Sequence, residues 1–228
     1  MFPWEPESQD LRWPCKYSIE GCPAKLSLRF KSIHERVCKF RPCPCVLGAT
    51  SCTWNGPLKD VATHIARNHS FIPKFQDEDV VATVPDFQRE EDFSWFALLS
   101  CFRKDFLLML LKRRCPDDED KSCFIAEVLM IGPSIETVNF VYRLEFVGQR
   151  SRLRMESRPV SVHRIADISV TGGGGFQFVA DIVQHFRDGK DLILNVIISE
   201  CNNATDWEHL CRPADGDVAE DIWGSLSG

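Results

Sequence analysis

The feature that most constrains this chain is a repeated order of cysteine and histidine close to its N-terminal end. Cys15 is followed after six residues by Cys22, after eleven more by His34 and after three more by Cys38. A second series opens six residues later, with six residues from Cys45 to Cys52, eleven to His64 and four to His69. The first two spacings are identical in the two series. Eight thiolate and imidazole donors arranged as two quartets are the complement of two tetrahedral Zn2+ ions. Residues 31–38 and 58–69 read as short helices, the second with an apolar face at Val61 and Ile65. His34 and Cys38 then project from one helical face toward a metal held by the preceding cysteine pair. Gly21 and Gly48 supply the turns that close each pair. Cys43 is left over, two residues before Cys45, and is an alternative first ligand of the second site. Each quartet is closed, without a free coordination position or a neighbouring carboxylate base, so both sites are structural rather than catalytic. A segment this poor in apolar residues is expected to fold only with metal bound.

The rest of the chain has a different character. Of 228 residues 44% are hydrophobic, enough for a core. The longest apolar run, residues 106–111, is far short of the roughly 20 residues a spanning helix needs, so a membrane is not an expected partner. The first ten residues carry Glu5, Glu7 and Asp10 and no basic residue, unlike a signal or transit peptide. The expected compartment is the cytoplasm, with the nucleus as a second site, and there cysteines stay reduced. Outside the quartets, Cys101, Cys115, Cys123, Cys201 and Cys211 are therefore read as small buried hydrophobes. Charge divides at the same place as the cysteines: +7 over residues 11–72 and −10 over residues 73–228. A basic zinc module invites a nucleic-acid reading. However, its cysteines lie farther apart than in the DNA-reading finger, and its basic residues are scattered. A solvated basic surface is the better reading, and nucleic acid is not an expected partner.

After Phe75 the pattern is that of short strands. Residues 96–102, 106–111, 124–131, 140–146 and 192–199 are rich in β-branched and aromatic residues and separated by turn residues, which argues for an antiparallel sandwich. Residues 115–121 read as an exposed acidic hairpin loop and 179–186 as one short helix. The run Gly172 to Gly175 lacks the Lys-Ser/Thr of a phosphate loop and reads as an inter-strand loop. His163 and His185 have no clustered partners. No nucleophile, paired-carboxylate or metalloprotease signature is present, so no catalytic residue is assigned.

With these features together the chain resembles the seven in absentia (Sina/SIAH) family. The matching residues include Pro14-Cys-Lys-Tyr17, Gly21-Cys22, Cys38-Lys-Phe-Arg-Pro42, Gly48-Ala49, Cys52-Thr-Trp54 and Gly56. They continue with Asp92-Phe-Ser-Trp95, Ser100-Cys-Phe102, Leu129 to Gly132, Asn139 to Glu145 and Ile197 to Cys201. The resemblance implies a mainly β fold: a short N-terminal tail over 1–12, a SIAH-type double zinc finger over 13–72, a TRAF-like sandwich over 73–201 that dimerises and binds substrates, and a flexible acidic tail over 202–228. It implies metal ligands at Cys15, Cys22, His34, Cys38, Cys45, Cys52, His64 and His69, with two structural Zn2+ per chain. It also implies capture of extended peptides of protein substrates against a sheet edge at Phe75, Asp79, Trp95 and Ala97. Phe75 stands where the family has Leu and Ala97 where it has Met, so a shallower pocket and weaker binding of the usual proline- and valine-containing degron are expected. Trp95 is equally readable as an ordinary core aromatic. Only 14 residues precede Cys15, too few for the eight-ligand RING of the family's ubiquitin ligases, so a member lacking the RING is expected. The implied role is substrate recognition in the ubiquitin pathway. A conjugating enzyme would be engaged directly or through a RING-bearing relative, in a homo- or heterodimer. The alternatives are a ubiquitin-independent TRAF-like scaffold or a dominant-negative competitor of full-length relatives.

Overall fold

The computed structural model describes residues 11–47, 52–87, 91–115, 118–148, 151–165, 175–188 and 190–201. The tails over 1–10 and 202–228, Gly48, and Gly172 to Gly174 lie outside the described residues, as do Pro116 and Asp117 of the acidic loop and Cys211.

The first finger begins with a two-residue hairpin, β1 (Trp13–Pro14) against β2 (Lys25–Leu26), followed by α1 (Leu28–Val37). The second repeats this plan with β3 (Cys43–Pro44), β4 (Asn55–Gly56) and α2 (Val61–Asn68), the last preceded by a 3-10 turn over Leu58–Asp60. Both helices run near the expected boundaries. Gly21 takes a φ of 101°, a left-handed turn conformation that residues with a side chain rarely adopt, and its N–H reaches the Ser18 carbonyl.

The larger unit is a two-sheet sandwich. One sheet is ordered β5 (Lys74–Phe75), β7 (Phe93–Cys101), β8 (Lys104–Cys115), β9 (Asp118–Met130), with β12 (Val160–Ser161) and β13 (Phe176–Val179) both on the outer edge of β9. In the other, β15 (Asp191–Glu200) is central. Along one edge it pairs with β10 (Phe140–Val147), which carries β11 (Arg152–Ser157), and at its start with β14 (Arg187–Asp188), and along the other edge with β6 (Asp79–Val84). Pairing is antiparallel except for the two-residue contacts β5–β7 and β12–β9. The helix expected over 179–186 is one turn, α3 (Ala180–Val183), continued as 3-10 over Gln184–Phe186.

Three expectations change. The five strands are longer than their apolar runs, and β6, β11 and β13 were not anticipated. The acidic loop is shorter than expected, since β9 already begins at Asp118 and continues the hairpin with β8. Cys115 and Cys123, read as reduced buried hydrophobes, are joined by a disulfide across that hairpin. A register shift after Arg114 is the irregularity that sets them side by side. The chain-entropy model gives such a short loop about 2 kcal/mol of stabilisation. Mild reduction is therefore expected to lower stability by about that amount in denaturant titration, and Cys115→Ser to be insensitive to reductant.

The strand β8 explains the longest apolar run in the sequence. Phe106, Leu108 and Leu110 point into the sandwich, among Leu99, Phe124, Val128, Tyr142 and Val196. Leu107, Met109 and Leu111 point the other way, into a second core with Leu98, Ile125 and Leu129. The lid of that second core is the second finger: Cys43, Leu58, Val61, Ile65 and Ile72. The second finger and the sandwich therefore share buried side chains, although charge and cysteine content divide them. Successive residues of a strand alternate faces, so a strand covered on both sides loses the apolar–polar alternation. Among the described residues the first finger has no equivalent cover, and its buried cluster is Cys15, Cys22 and Cys38 with Tyr17, Ala24 and Phe40 against it.

Candidate metal centres and peptide edge

In the first finger the hairpin presents Cys15 and Cys22, and α1 with the residue after it presents His34 and Cys38. All four donor atoms lie within 4.8 Å of one another. Cys15 Sγ is 3.9 Å from Cys38 Sγ, and Cys22 Sγ is 3.4 Å from His34 Nε2. The second quartet, Cys45, Cys52, His64 and His69, meets the same limit. There Cys45 Sγ to His69 Nε2 is 3.3 Å, Cys52 Sγ to His64 Nε2 is 3.4 Å, and the two Nε2 atoms are 3.3 Å apart. A tetrahedron with Zn–S near 2.3 Å and Zn–N near 2.0–2.1 Å requires about 3.8 Å between sulfurs, about 3.5 Å from sulfur to nitrogen and about 3.3 Å between nitrogens. Both donor sets fit Zn2+. Burial pushes the Cys38 thiol up to about 11, with the neighbouring Cys22 and Cys15 adding to the rise, so an ion entering there must displace its proton.

Cys43 and Cys45 separate cleanly. Cys45 joins the quartet, whereas Cys43 is buried under the second finger with its Sγ toward the Pro44 carbonyl. Burial raises its thiol to about 11 as well. Two further groups, to which the sequence assigned no role, support these centres. Trp54 stacks on the His64 ring at 4.3 Å between centroids and 7° between planes. It rests on Gly56, where an added Cβ would fall 2.5 Å from the indole. Gly56→Ala is therefore expected to push Trp54 off His64 and weaken zinc at the second centre on the order of ten-fold in a chelator competition, with the first centre unchanged. His163 Nε2 lies 3.1 Å from the Arg41 carbonyl and ties the end of the first finger to the sandwich. Burial lowers its pKa, consistent with a neutral ring in that position.

The four groove positions gather at one side of the sandwich. The chain leaves β5 on one sheet, crosses in residues 76–78, and enters β6 on the other, with the Ile198 N–H held by the Glu78 carbonyl. Among the described residues no strand pairs with the second edge of β6, nor with β7 from Ser94 to Ala97, while the Phe93 carbonyl accepts from Arg113 Nη1. Two strand edges therefore face outward, joined at one end by this crossing. Asp79 is exposed at the start of β6. Phe75 and Trp95 are half-buried, resting on the inter-sheet core. Ala97 has no exposed surface. The expectation of peptide contact at Ala97 is corrected accordingly: its methyl ends inside the core behind Trp95 and offers nothing to an edge-bound chain.

Comparison with known proteins agrees with this layout. Residues 8–81 match the family model of the Sina zinc finger, and residues 99–197 match that of the Sina TRAF-like domain. The chain is 36% identical over 195 residues to E3 ubiquitin-protein ligase sina of Drosophila melanogaster, covering 86% of this chain and 62% of that protein. It is 35% identical over 190 residues to E3 ubiquitin-protein ligase siah-1 of Caenorhabditis briggsae, covering 83% and 44%. Over 189 residues it is 35% identical to E3 ubiquitin-protein ligase sina of Schistosoma mansoni, covering 82% and 50%. The chain thus spans between 44% and 62% of the length of these relatives. With a zinc finger and a TRAF-like domain that both match, in this order and across most of its length, the chain belongs to the Sina/SIAH family.

Proposed function

We propose that this chain is a substrate-recognition and dimerisation module of the ubiquitin pathway that captures extended segments of target proteins by strand addition. The observation that carries this reading is the pair of unpaired edges on β6 and β7, in a protein whose relatives are named as E3 ubiquitin-protein ligases. An unpaired edge offers backbone N–H and C=O groups to any extended chain, and flanking side chains supply selectivity. Phe75 and Trp95 supply apolar surface beside those edges, and Asp79 supplies a negative charge. Ala97 contributes no surface to this pocket, so its selectivity falls to Phe75, Trp95 and Asp79. The zinc ions are structural in this scheme. Transfer would then depend on a conjugating enzyme brought by a RING-bearing relative in a mixed dimer, in the cytoplasm or nucleus.

The test is a reconstituted ubiquitylation reaction with zinc-loaded protein, activating enzyme and conjugating enzyme, with and without the full-length Drosophila melanogaster relative. The reading predicts that the chain co-assembles with the relative and is modified, or delivers a bound peptide for modification, only when the relative is present. Co-assembly that suppresses the relative's own transfer would instead identify a competitor. No co-assembly and no effect would leave a scaffold outside the pathway and overturn the proposal.

A further inference from the structure

The segment between the two fingers does more than connect them. Phe40 packs against Cys15, Cys22 and Cys38 of the first centre. The Gly21 turn lies close to the Phe40 ring, where an added Cβ would be 3.4 Å away. The Arg41 N–H is held by the Cys38 carbonyl at 3.0 Å, and the Arg41 carbonyl lies 3.1 Å from His163 Nε2 of the sandwich. Across from this segment is the turn that leads the second finger into α2. There Leu58 is buried in the second core, and the Asp60 N–H bonds the Pro57 carbonyl at 2.9 Å. Between the two anchored pieces lies an open cavity of about 580 Å³, with apolar walls made by Phe40, Pro42, Pro57 and Leu58. That volume is within the range of ligand pockets, roughly 300–1,000 Å³. Two of the walls are proline rings, and the others are held by packing on separate fingers. A pocket built before its ligand arrives spares part of the ordering cost of binding.

The charge of the cavity narrows the choice of occupant. Lys39 from one side and Lys59 from the other line it, both exposed, against a single acid, Glu20. Neither lysine has an ion-pair partner among the described residues. They stand in a module of net charge +7 over residues 11–72. A carboxylate entering here meets two cations without displacing an existing partner. The apolar walls call for a large apolar side chain beside it. A nucleic acid also brings negative charge, but its bases need an aromatic platform. Phe40 is the one aromatic ring of the cavity, and it is engaged by the first centre and by Lys39 Nζ, 5.2 Å from its centroid.

We propose that this inter-finger cavity binds an acidic segment of a partner protein. One aliphatic or aromatic side chain of the segment sits between Phe40 and Leu58, and its carboxylates meet Lys39 and Lys59. None of the lining residues belongs to the open edges of β6 and β7, so the cavity is a second, separate point of attachment.

Peptide selection on the zinc-loaded full chain tests this. A random seven-residue display library is first subtracted on Asn55→Trp, a change at an exposed β4 residue that lines the cavity and whose new side chain would fill it. The remainder is then enriched on the parent. The enriched peptides are expected to combine acids with at least one large apolar residue. They are expected to bind Asn55→Trp, and Lys39→Glu with Lys59→Glu, at least about ten-fold more weakly than the parent. They are also expected to slow amide exchange at residues 39–41 and 58–59. His34→Ala, which loosens the Phe40 wall, is expected to lose the binding too. Zinc content of two per chain shows that the Asn55 and lysine variants are folded. No enrichment over Asn55→Trp, or enriched peptides without acids, would overturn the proposal. Full-strength binding by the double lysine variant would overturn it as well. So would binding of oligouridine that Asn55→Trp abolishes, by assigning the cavity to nucleic acid.

Discussion

Loss of the second zinc centre is expected to destabilise the whole chain, whereas loss of the first is expected to leave the sandwich folded. The asymmetry follows from what each finger covers. In the second finger, His64 sits on the same helix as Val61 and Ile65, which together with Leu58 and Ile72 close the outer face of the β7–β8–β9 sheet. A finger this small holds its helix in place through the metal. Release of that helix exposes Leu98, Leu107, Met109, Leu111, Ile125 and Leu129, all now buried. At roughly 1.5–3 kcal/mol per side chain the lost burial is on the order of 10 kcal/mol, comparable with the entire stability of a typical domain. His64→Ala is therefore expected to yield soluble aggregates that bind hydrophobic dyes. In the first finger, His34 joins the donor set of Cys15, Cys22 and Cys38, and those cysteines pack with Tyr17, Ala24 and Phe40. His34→Ala is expected to cost one zinc per chain and α1 helicity, while sandwich stability changes by less than about 1 kcal/mol. Zinc analysis with denaturant unfolding followed by far-ultraviolet circular dichroism distinguishes the two. Equal loss in both variants would contradict the shared core.

The second large effect is a pH dependence centred on Glu127. This residue lies on β9 between the segments paired by β13, up to Ala126, and by β12, from Leu129. It has no exposed surface. The Tyr142 hydroxyl donates to Glu127 Oε1 at 2.8 Å, while Oε2 is buried without a hydrogen-bond partner among the described residues. Burial pushes the carboxyl from its ordinary 4.5 up to about 7, against smaller lowering by the Tyr142 and Val128 hydrogen bonds and Arg164. A raised folded-state value favours the protonated form in the fold. Its contribution is fully present below about 4.5 and is lost as pH rises through about 7. Between pH 5 and 8 this group alone is expected to lower stability by a few kcal/mol, on the order of 1.4 kcal/mol per pH unit between the two values. Glu127→Gln keeps an acceptor for Tyr142 and removes the titration. The stability difference, parent minus variant, should therefore fall by that amount across the window. The zinc ligands titrate alike in both proteins and cancel. A flat difference would show that Oε2 is solvated or paired in solution.

Much of the site was legible because metal ligation demands particular residue types at particular spacings. Seven donors were assigned from order and separation, with Cys45 preferred over Cys43 for the eighth, and the structure brings those eight into two groups. The choice between Cys43 and Cys45 was not legible. Two residues of separation leave either in reach, and only the burial of Cys43 under α2 separates them. The sandwich was legible from its apolar runs, but β6 was passed over although Val80, Ala82 and Val84 alternate with exposed residues. Six residues of small and β-branched type next to a linker carry little signal by themselves. The continuous run of β8 pointed to full burial without saying what covers the far face. That cover comes from a finger some 40 residues earlier, and tertiary partners at such separation leave no local mark. Glu127 had no signal either, since it looks like any solvent-facing acid until Tyr142 reaches it.

The claim that organises the whole reading is that an extended peptide adds to the open edges of β6 and β7. Hydrogen exchange of the zinc-loaded protein, with and without the tightest peptide from a random nine-residue display library, addresses it directly. The account predicts slowed exchange confined to residues 79–84 and 94–97, and at least about ten-fold weaker binding for Trp95→Ala, which loses core packing but keeps its zinc content and stays folded at the assay temperature. Protection elsewhere, or full-strength binding by Trp95→Ala, would contradict it.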